Sequence, residues 1–210
     1  MAKRQGVSIS VIRRLPRYYR FLGDLLNNST YRISSHELAQ LMKLTASQIR
    51  QDLNCFGGFG QQGYGYNVED LYKEIGKILG VEREIPVILV GAGNLGKAVS
   101  HMDFRSRGFK LVGAFDLVPP QGKLVDDLFV QPMEKLEDFC SIVQPKAAIL
   151  CIPKDGAKEV VDRLMEMGVR SFWNFSAFDV AASYDDVVVE NVHLGDSMMT
   201  LGYLIHEGTQ

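Results

Sequence analysis

No apolar run in the 210-residue sequence approaches the roughly 20 residues that a membrane span requires. Met1-Ala2-Lys3-Arg4 opens a polar, basic stretch, not the apolar core of a secretory leader. The expected location is therefore the cytoplasm, with no membrane partner. Cysteine is equally scarce: Cys55, Cys140 and Cys151 are odd in number and nowhere spaced C-x-x-C, which indicates neither a disulfide framework nor a zinc site. Three buried thiols are expected, a redox role for one of them being the alternative. No metal is expected. The remaining composition, 46% hydrophobic and 23% charged, suits a globular chain that buries its core in one large or two small domains.

Acids are scarce in one region. Residues 1–66 hold Asp24, Glu37 and Asp52 against nine Lys and Arg, a surplus of +6, so the remainder of this −2 chain carries −8. Two parts of opposite charge suggest two tasks, and a basic N-terminal part favours a polyanionic partner.

The acidic part carries the strongest motif. The β-branched run Ile85 to Val90 ends in Gly91-Ala92-Gly93-Asn94-Leu95-Gly96, and Lys97-Ala98-Val99 reads as a helix start. Strand, G-x-G-x-x-G and helix in that order are what a dinucleotide-binding βαβ unit requires. Gly91 permits the tight turn, Gly93 lets the backbone approach a pyrophosphate, and Gly96 lets the helix pack closely on its strand. The free N–H groups at the helix start then face the phosphates. A second strand, Lys110 to Phe115, ends at Asp116, about 20 residues past the last glycine, where an NAD ribose is bound.

In the basic part, Val11, Ile12, Leu15, Tyr18, Tyr19, Leu22, Leu25 and Leu26 recur at helical spacing. Pro16 fits poorly inside a helix, so the expected start is close to it, with residues 10–15 as a separate lead. Ser34 or Ser35 caps a second helix, His36 to Met42, with Leu38, Leu41 and Met42 inward. Thr45 and Gln48 stand at the N-cap and N3 positions of a capping box. The helix it opens has Ile49, Leu53 and Phe56 on one side and Ser47, Gln48, Arg50, Gln51 and Asn54 on the rest. That is a helix-turn-helix whose polar face suits base edges and phosphates. Gly57 to Tyr66 reads as a β-hairpin with Gln61-Gln62-Gly63 at its tip, the wing of a winged helix. A second phosphate loop is the rival reading, but no Walker lysine supports it. Val68 to Leu79 is an amphipathic helix expected to connect two domains.

Downstream, Leu124 to Val130 has no assignable structure. Leu136 to Val143 and Gly156 to Met167 read as helices; Ala147 to Pro153, Ser171 to Phe175 and Val187 to Glu190 read as strands. The alternation implies a parallel sheet covered on both sides. Asp196 to His206 is a terminal helix so apolar that Met198, Leu201, Leu204 and Ile205 need a partner, a second subunit being the natural one.

The chain resembles the Rex family of bacterial redox-sensing transcriptional repressors. The resemblance runs through Arg13 to Arg20, Thr45 to Asp52 (TASQIRQD), Phe56 to Tyr66 (FGGFGQQGYGY), Val90 to Gly96, Asn174-Phe175-Ser176 and Val189 to Val192. It implies a homodimer on an inverted-repeat DNA operator, with a terminal helix swapped into the partner. NADH binding would close the dimer and release DNA, and NAD⁺ would compete and permit repression. It also implies NAD(H) contacts from Gly91, Ala92, Gly93, Asn94, Leu95, Gly96, Asp116, Cys151, Pro153, Phe175 and Ser176. The DNA contacts implied are Arg13, Arg14, Thr45, Ala46, Ser47, Gln48, Arg50, Gln51, Gln61, Gln62, Gly63 and Tyr64. Several positions depart from the family pattern. Many members read I-R-K-D-L-S where this chain has Ile49 to Asn54 as IRQDLN, one basic phosphate contact fewer. Some members couple their domains through an arginine, a tyrosine and an aspartate. Arg20 matches the first, but Met102 and His193 stand at the other two, and a histidine cannot replace the acid in an ion pair with Arg20. Ala177 stands where the Asn-Phe-Ser motif continues with proline.

The rival is a small NAD-dependent oxidoreductase. It needs an acid/base near the nicotinamide, yet Cys151, Lys154 and His101 form no recognisable dyad or triad, and residues 82–210 leave no room for a substrate domain. A third class, a purely structural dimerisation module, leaves the glycine turn and Asp116 unexplained. The expectation is an α/β protein that is not an enzyme: a winged-helix DNA-binding domain over residues 1–80, a Rossmann NAD(H)-binding domain over 81–195 and a C-terminal dimerisation helix over 196–210.

Overall fold

A computed structural model describes residues 7–57, 60, 61 and 64–208. Two compact units divide after Glu82. Lys3 and Arg4 from the basic count, and Gln62 and Gly63 from the expected wing tip, lie outside the described residues.

In the first unit, α1 (Ile9–Asn27) starts seven residues before Pro16, not at it. Ser8 caps it, its side chain accepting from the Val11 N–H. A proline here leaves the Ile12 carbonyl without its helical donor and costs about 3 kcal/mol. Its ring faces solvent, and the lead brings Val11 and Leu15 into buried positions, each stabilising by roughly 1.5–3 kcal/mol. A short β1 (Arg32–Ile33) follows, which the sequence pattern misses. Ser34 caps α2 (Ser35–Met42) in a full capping box with Glu37. Leu38, Ala39 and Met42 are buried, but Leu41 is exposed, because α2 spans two turns and buries one narrow stripe.

Thr45 caps α3 (Ala46–Asn54). The wing strands are β2 (Gly60–Gln61) and β3 (Gly65–Asn67), antiparallel with Gln61 opposite Gly65, so Gln61, expected at the tip, is a strand residue. β1 joins them on the other side of β3, giving the order β1-β3-β2. Asn67 caps α4 (Val68–Leu79), which Gly80 ends in the left-handed conformation. This helix belongs to the first unit's core: Leu71 and Ile75 are buried with Leu15, Leu22 and Leu53, and Tyr72 stacks on Tyr19 at 4.2 Å. Cys55 is exposed, contrary to expectation, because it caps the open end of α3.

The second unit is a sheet of seven strands in the order β10-β9-β8-β4-β5-β7-β6. In chain order its elements are β4 (Ile85–Val90), α5 (Asn94–Ser100), β5 (Phe109–Asp116), β6 (Lys123–Val125), β7 (Leu128–Pro132) and α6 (Leu136–Val143). Then come β8 (Ala147–Leu150), α7 (Lys154–Glu166), β9 (Ser171–Asn174), α8 (Val180–Ser183), β10 (Val188–Asn191) and α9 (Leu194–Glu207). All neighbouring strands are parallel except β6 with β7, a hairpin for which the sequence pattern gives no signal. Central strands are buried on both faces, Ile88 and Leu150 towards one layer and Leu89 and Ile149 towards the other. Helix starts differ from expectation: α5 begins at Asn94 rather than Lys97, and α7 at Lys154 rather than Gly156. Both follow a strand so closely that the turn itself forms the first helical residues. Along α9, Leu194, Met198, Leu201 and Leu204 are all exposed.

Candidate functional site

α3 presents the polar surface expected of a reading helix. Ser47, Arg50 and Gln51 are exposed, as are Arg13 on α1 and Tyr64 beside the wing. The Arg50 Nη1 donates to the Ser35 hydroxyl at 3.0 Å, which holds the guanidinium beside the N-terminus of α2.

Asp52, one turn on from Gln48, is fully buried. The Arg14 guanidinium grips it with two nitrogens at 2.6 and 2.7 Å, the Tyr18 hydroxyl donates at 2.9 Å and the Gln48 amide at 2.7 Å. Burial pushes the carboxyl up, but those hydrogen bonds outweigh it and hold it below the usual carboxylate range. Burial and then the bond to Asp52 push the Tyr18 phenol up. Two expected DNA contacts thus have structural work: Arg14 ties α1 to α3, and Gln48 bonds Asp52 rather than completing the capping box. Sequence reading overlooked Asp52, although Ile49, Asp52, Leu53 and Phe56 fall at i, i+3, i+4 and i+7 on one helix face. An acid on that inward stripe, within a basic segment, is the signal.

The glycine turn lies at the carboxyl ends of β4 and β5. Gly91 has φ +95°, and a Cβ there would lie 2.4 Å from the Cys151 carbonyl oxygen. A Cβ at Gly96 would lie 1.9 Å from the Gly91 carbonyl oxygen, whereas Gly93 faces open space. The close packing and the open approach are thus at the positions a pyrophosphate requires. Whereas α1 to α4 each have a side-chain cap, no side chain caps α5, whose N-cap is Gly93. Its first N–H groups are left for an anion.

Asp116 ends β5, its Oδ2 accepting from the Ala92 N–H at 2.6 Å and its Oδ1 from the Val118 N–H at 2.9 Å. The carboxylate therefore braces the turn beside which it would meet a ribose. Asn94 and Leu95 are exposed on the same turn. Cys151 and Pro153 follow β8, and Phe175 and Ser176 follow β9, all at the same edge of the sheet. Burial pushes the Cys151 thiol up to about 12, which leaves it protonated and unreactive near neutrality. The Cys140 thiol is also pushed up by burial.

Of the three expected coupling residues, Arg20 lies over the Phe21 ring at 5.8 Å. Met102 follows α5 and is exposed. His193 precedes α9, with Nδ1 3.4 Å from an Asp196 carboxylate oxygen. Among the described residues no cluster of His, Cys, Asp and Glu could hold a metal, and no helix is long and apolar enough to cross a membrane.

A family model described as a putative DNA-binding protein N-terminus matches residues 6–54, and one described as a CoA binding domain matches residues 82–178. A redox-sensing transcriptional repressor Rex from Thermoanaerobacter pseudethanolicus is 51% identical over 209 residues, covering 99% of this chain and 93% of that protein. The chain belongs to the Rex family. A Rex repressor of Clostridioides difficile is 50% identical, covering 99% of this chain and all of the relative. Among solved structures, the Rex-family repressor RSP with β-NAD⁺ and operator DNA matches with a TM-score of 0.86 at 49% identity, over 98% of this chain and 95% of that one. RSP with β-NADH matches at 0.85 and 47% identity, over 97% and 96%. Rex membership agrees with the α/β architecture, an N-terminal DNA-binding domain followed by a Rossmann-like one, and with a repressor rather than an enzyme.

Proposed function

We propose that this chain represses transcription in the cytoplasm as a homodimer on an inverted-repeat operator, and that NADH, in competition with NAD⁺, releases it. The observation that carries the reading is one chain holding both a basic winged helix and a dinucleotide turn already shaped for pyrophosphate. Arg13, Thr45, Ala46, Ser47, Arg50, Gln51 and Tyr64, with the wing residues Gln61, Gln62 and Gly63, would meet DNA. Gly91 to Gly96 would hold the pyrophosphate and Asp116 the adenosine ribose, while Cys151, Pro153, Phe175 and Ser176 would line the nicotinamide end. Bound there, the cofactor contributes its redox state as a signal; the protein's residues bind and orient it. The exposed apolar length of α9 supports its exchange with a second copy.

Release requires that NADH prefer the arrangement that cannot hold DNA. Titrating an inverted-repeat fragment with NADH and NAD⁺ separately tests this, and NADH alone should lower DNA affinity. Failure to bind DNA at low salt would refute the repressor, and an affinity indifferent to NADH would refute the sensor. Met102 and His193 favour a second reading, a Rex protein with a weakened NADH response. On that reading H193D sharpens release; an unchanged response would remove it.

A further inference from the structure

Beyond the residues that would touch the nucleotide, one buried side chain has no part in either expected contact set. Asn174, the last residue of β9, is fully buried and uses its amide in four directions. Its Nδ2 donates to the Phe178 carbonyl and to the Asn191 side-chain oxygen, both at 2.8 Å. Its Oδ1 accepts from the Ser176 N–H at 3.1 Å and from the Ser176 hydroxyl at 2.6 Å. Its backbone carbonyl accepts from the Val192 N–H at 2.8 Å. A buried amide has two donors and two acceptor sites, and here all four are matched. Movement of any one partner therefore leaves a buried polar group unpaired unless the others move with it.

Those partners belong to two segments with different expected tasks. Ser176 and Phe178 are in the turn after β9, which carries Phe175 and Ser176 towards the nucleotide edge of the sheet. Asn191 and Val192 end β10, and His193 leads from them directly into α9. We propose that Asn174 is a positioning residue that transmits occupancy of the nucleotide site to the root of the terminal helix, through its hydrogen bond to Asn191. The inference rests on the repressor reading above and adds to it the route by which nucleotide state reaches the dimerising helix.

Asn191 is the place to test it, because it is exposed and its replacement leaves the buried end of the network with three of its bonds. N191A should keep NADH affinity and nucleotide-free DNA affinity within about two-fold of the natural chain, yet lower the NADH effect on DNA affinity by roughly ten-fold, within the usual range of coupling between sites. N191D, whose carboxylate accepts the same bond, should restore the effect. Both measurements use the full-length dimer, with NADH binding followed by calorimetry and DNA binding by anisotropy. Undiminished coupling in N191A would overturn the relay. So would a loss of NADH affinity as large as the loss of coupling, since the pair would then be only part of the binding site. If the natural chain itself ignores NADH, the repressor-sensor reading falls and the relay with it, an outcome told apart by needing no variant.

Discussion

Each unit has a fully buried polar side chain that gathers several hydrogen bonds, and the two differ in charge. Asp52 is an ion held by a guanidinium, a phenol and an amide, joining α1 to α3. Asn174 is neutral and joins strand ends and turns through four bonds between uncharged groups. A buried ion whose partner is removed costs far more than a neutral amide in the same position. The first hub therefore fixes one arrangement of the reading helix. On the relay proposed above, the second would permit rearrangement at a cost a ligand can offset. A reading head needs the former property and a sensor the latter.

The largest effect expected is on the charged hub. D52A removes the buried ion and leaves the buried Tyr18 hydroxyl without its acceptor, and should destabilise the first unit by about 3 kcal/mol, the upper end for an unsatisfied buried group. Denaturant unfolding would show this, with DNA binding lost and NADH binding kept in the second unit. The pH dependence has a definite sign. Because the folded carboxyl is held below its ordinary value, its contribution is complete above the unfolded value near 4 and is lost as pH falls through the folded one. Acid unfolding of the first unit should be blunted in D52N. Identical acid profiles for D52N and the natural chain would break the contrast between the hubs.

Next in size is the glycine turn. G96A puts a Cβ against the Gly91 carbonyl, where only backbone can yield. NAD(H) affinity should fall on the order of 100-fold, about 2.7 kcal/mol, with nucleotide-free DNA binding unchanged. G93A meets no neighbour within 4 Å, so it should fold as the natural chain does and weaken binding only where the nucleotide approaches. Equal losses of fold in both variants would mean the turn is structural and not a cradle. D116A should cost about ten-fold in NAD(H) affinity, the lower end for a hydrogen bond to a charged group. It removes the brace on Ala92 as well, so equal loss of DNA binding would contradict the assignment of the two tasks to two units.

Periodicity marks what the sequence made readable. Runs such as Ile85 to Val90 and Val68 to Leu79 have boundaries matching the folded elements because burial on one or both faces dictates their composition. Gly91 and Gly96 were legible because a Cβ at either would meet a backbone carbonyl. Pro16 misled because its local penalty is offset by Leu15 and by the Arg14–Asp52 pair, a contact 38 residues distant that local propensity cannot register. The edge hairpin of β6 and β7 escaped because strands of three and five residues at a sheet margin carry little alternation. Asn174 stood in a motif yet gave no hint of its partners, since its link to Asn191 exists only once β9 and β10 pair.

The smallest effect sharpens the comparison at the surface of the reading head. Arg50 is exposed on α3 and steadied by Ser35, and does not belong to the buried hub; on the proposed function it would meet a phosphate. A phosphate contact releases about one counterion, so R50A should lower DNA affinity similarly on matched and mismatched operators and reduce the slope of log affinity against log salt by about 1. Stability should stay within about 0.5 kcal/mol, as for a surface substitution. Gln51 offers the reciprocal change: Q51K should steepen the slope by a similar amount. If R50A instead destabilised the unit as D52A is expected to, the polar face of α3 would be part of the scaffold and its separation from the Asp52 hub would be false.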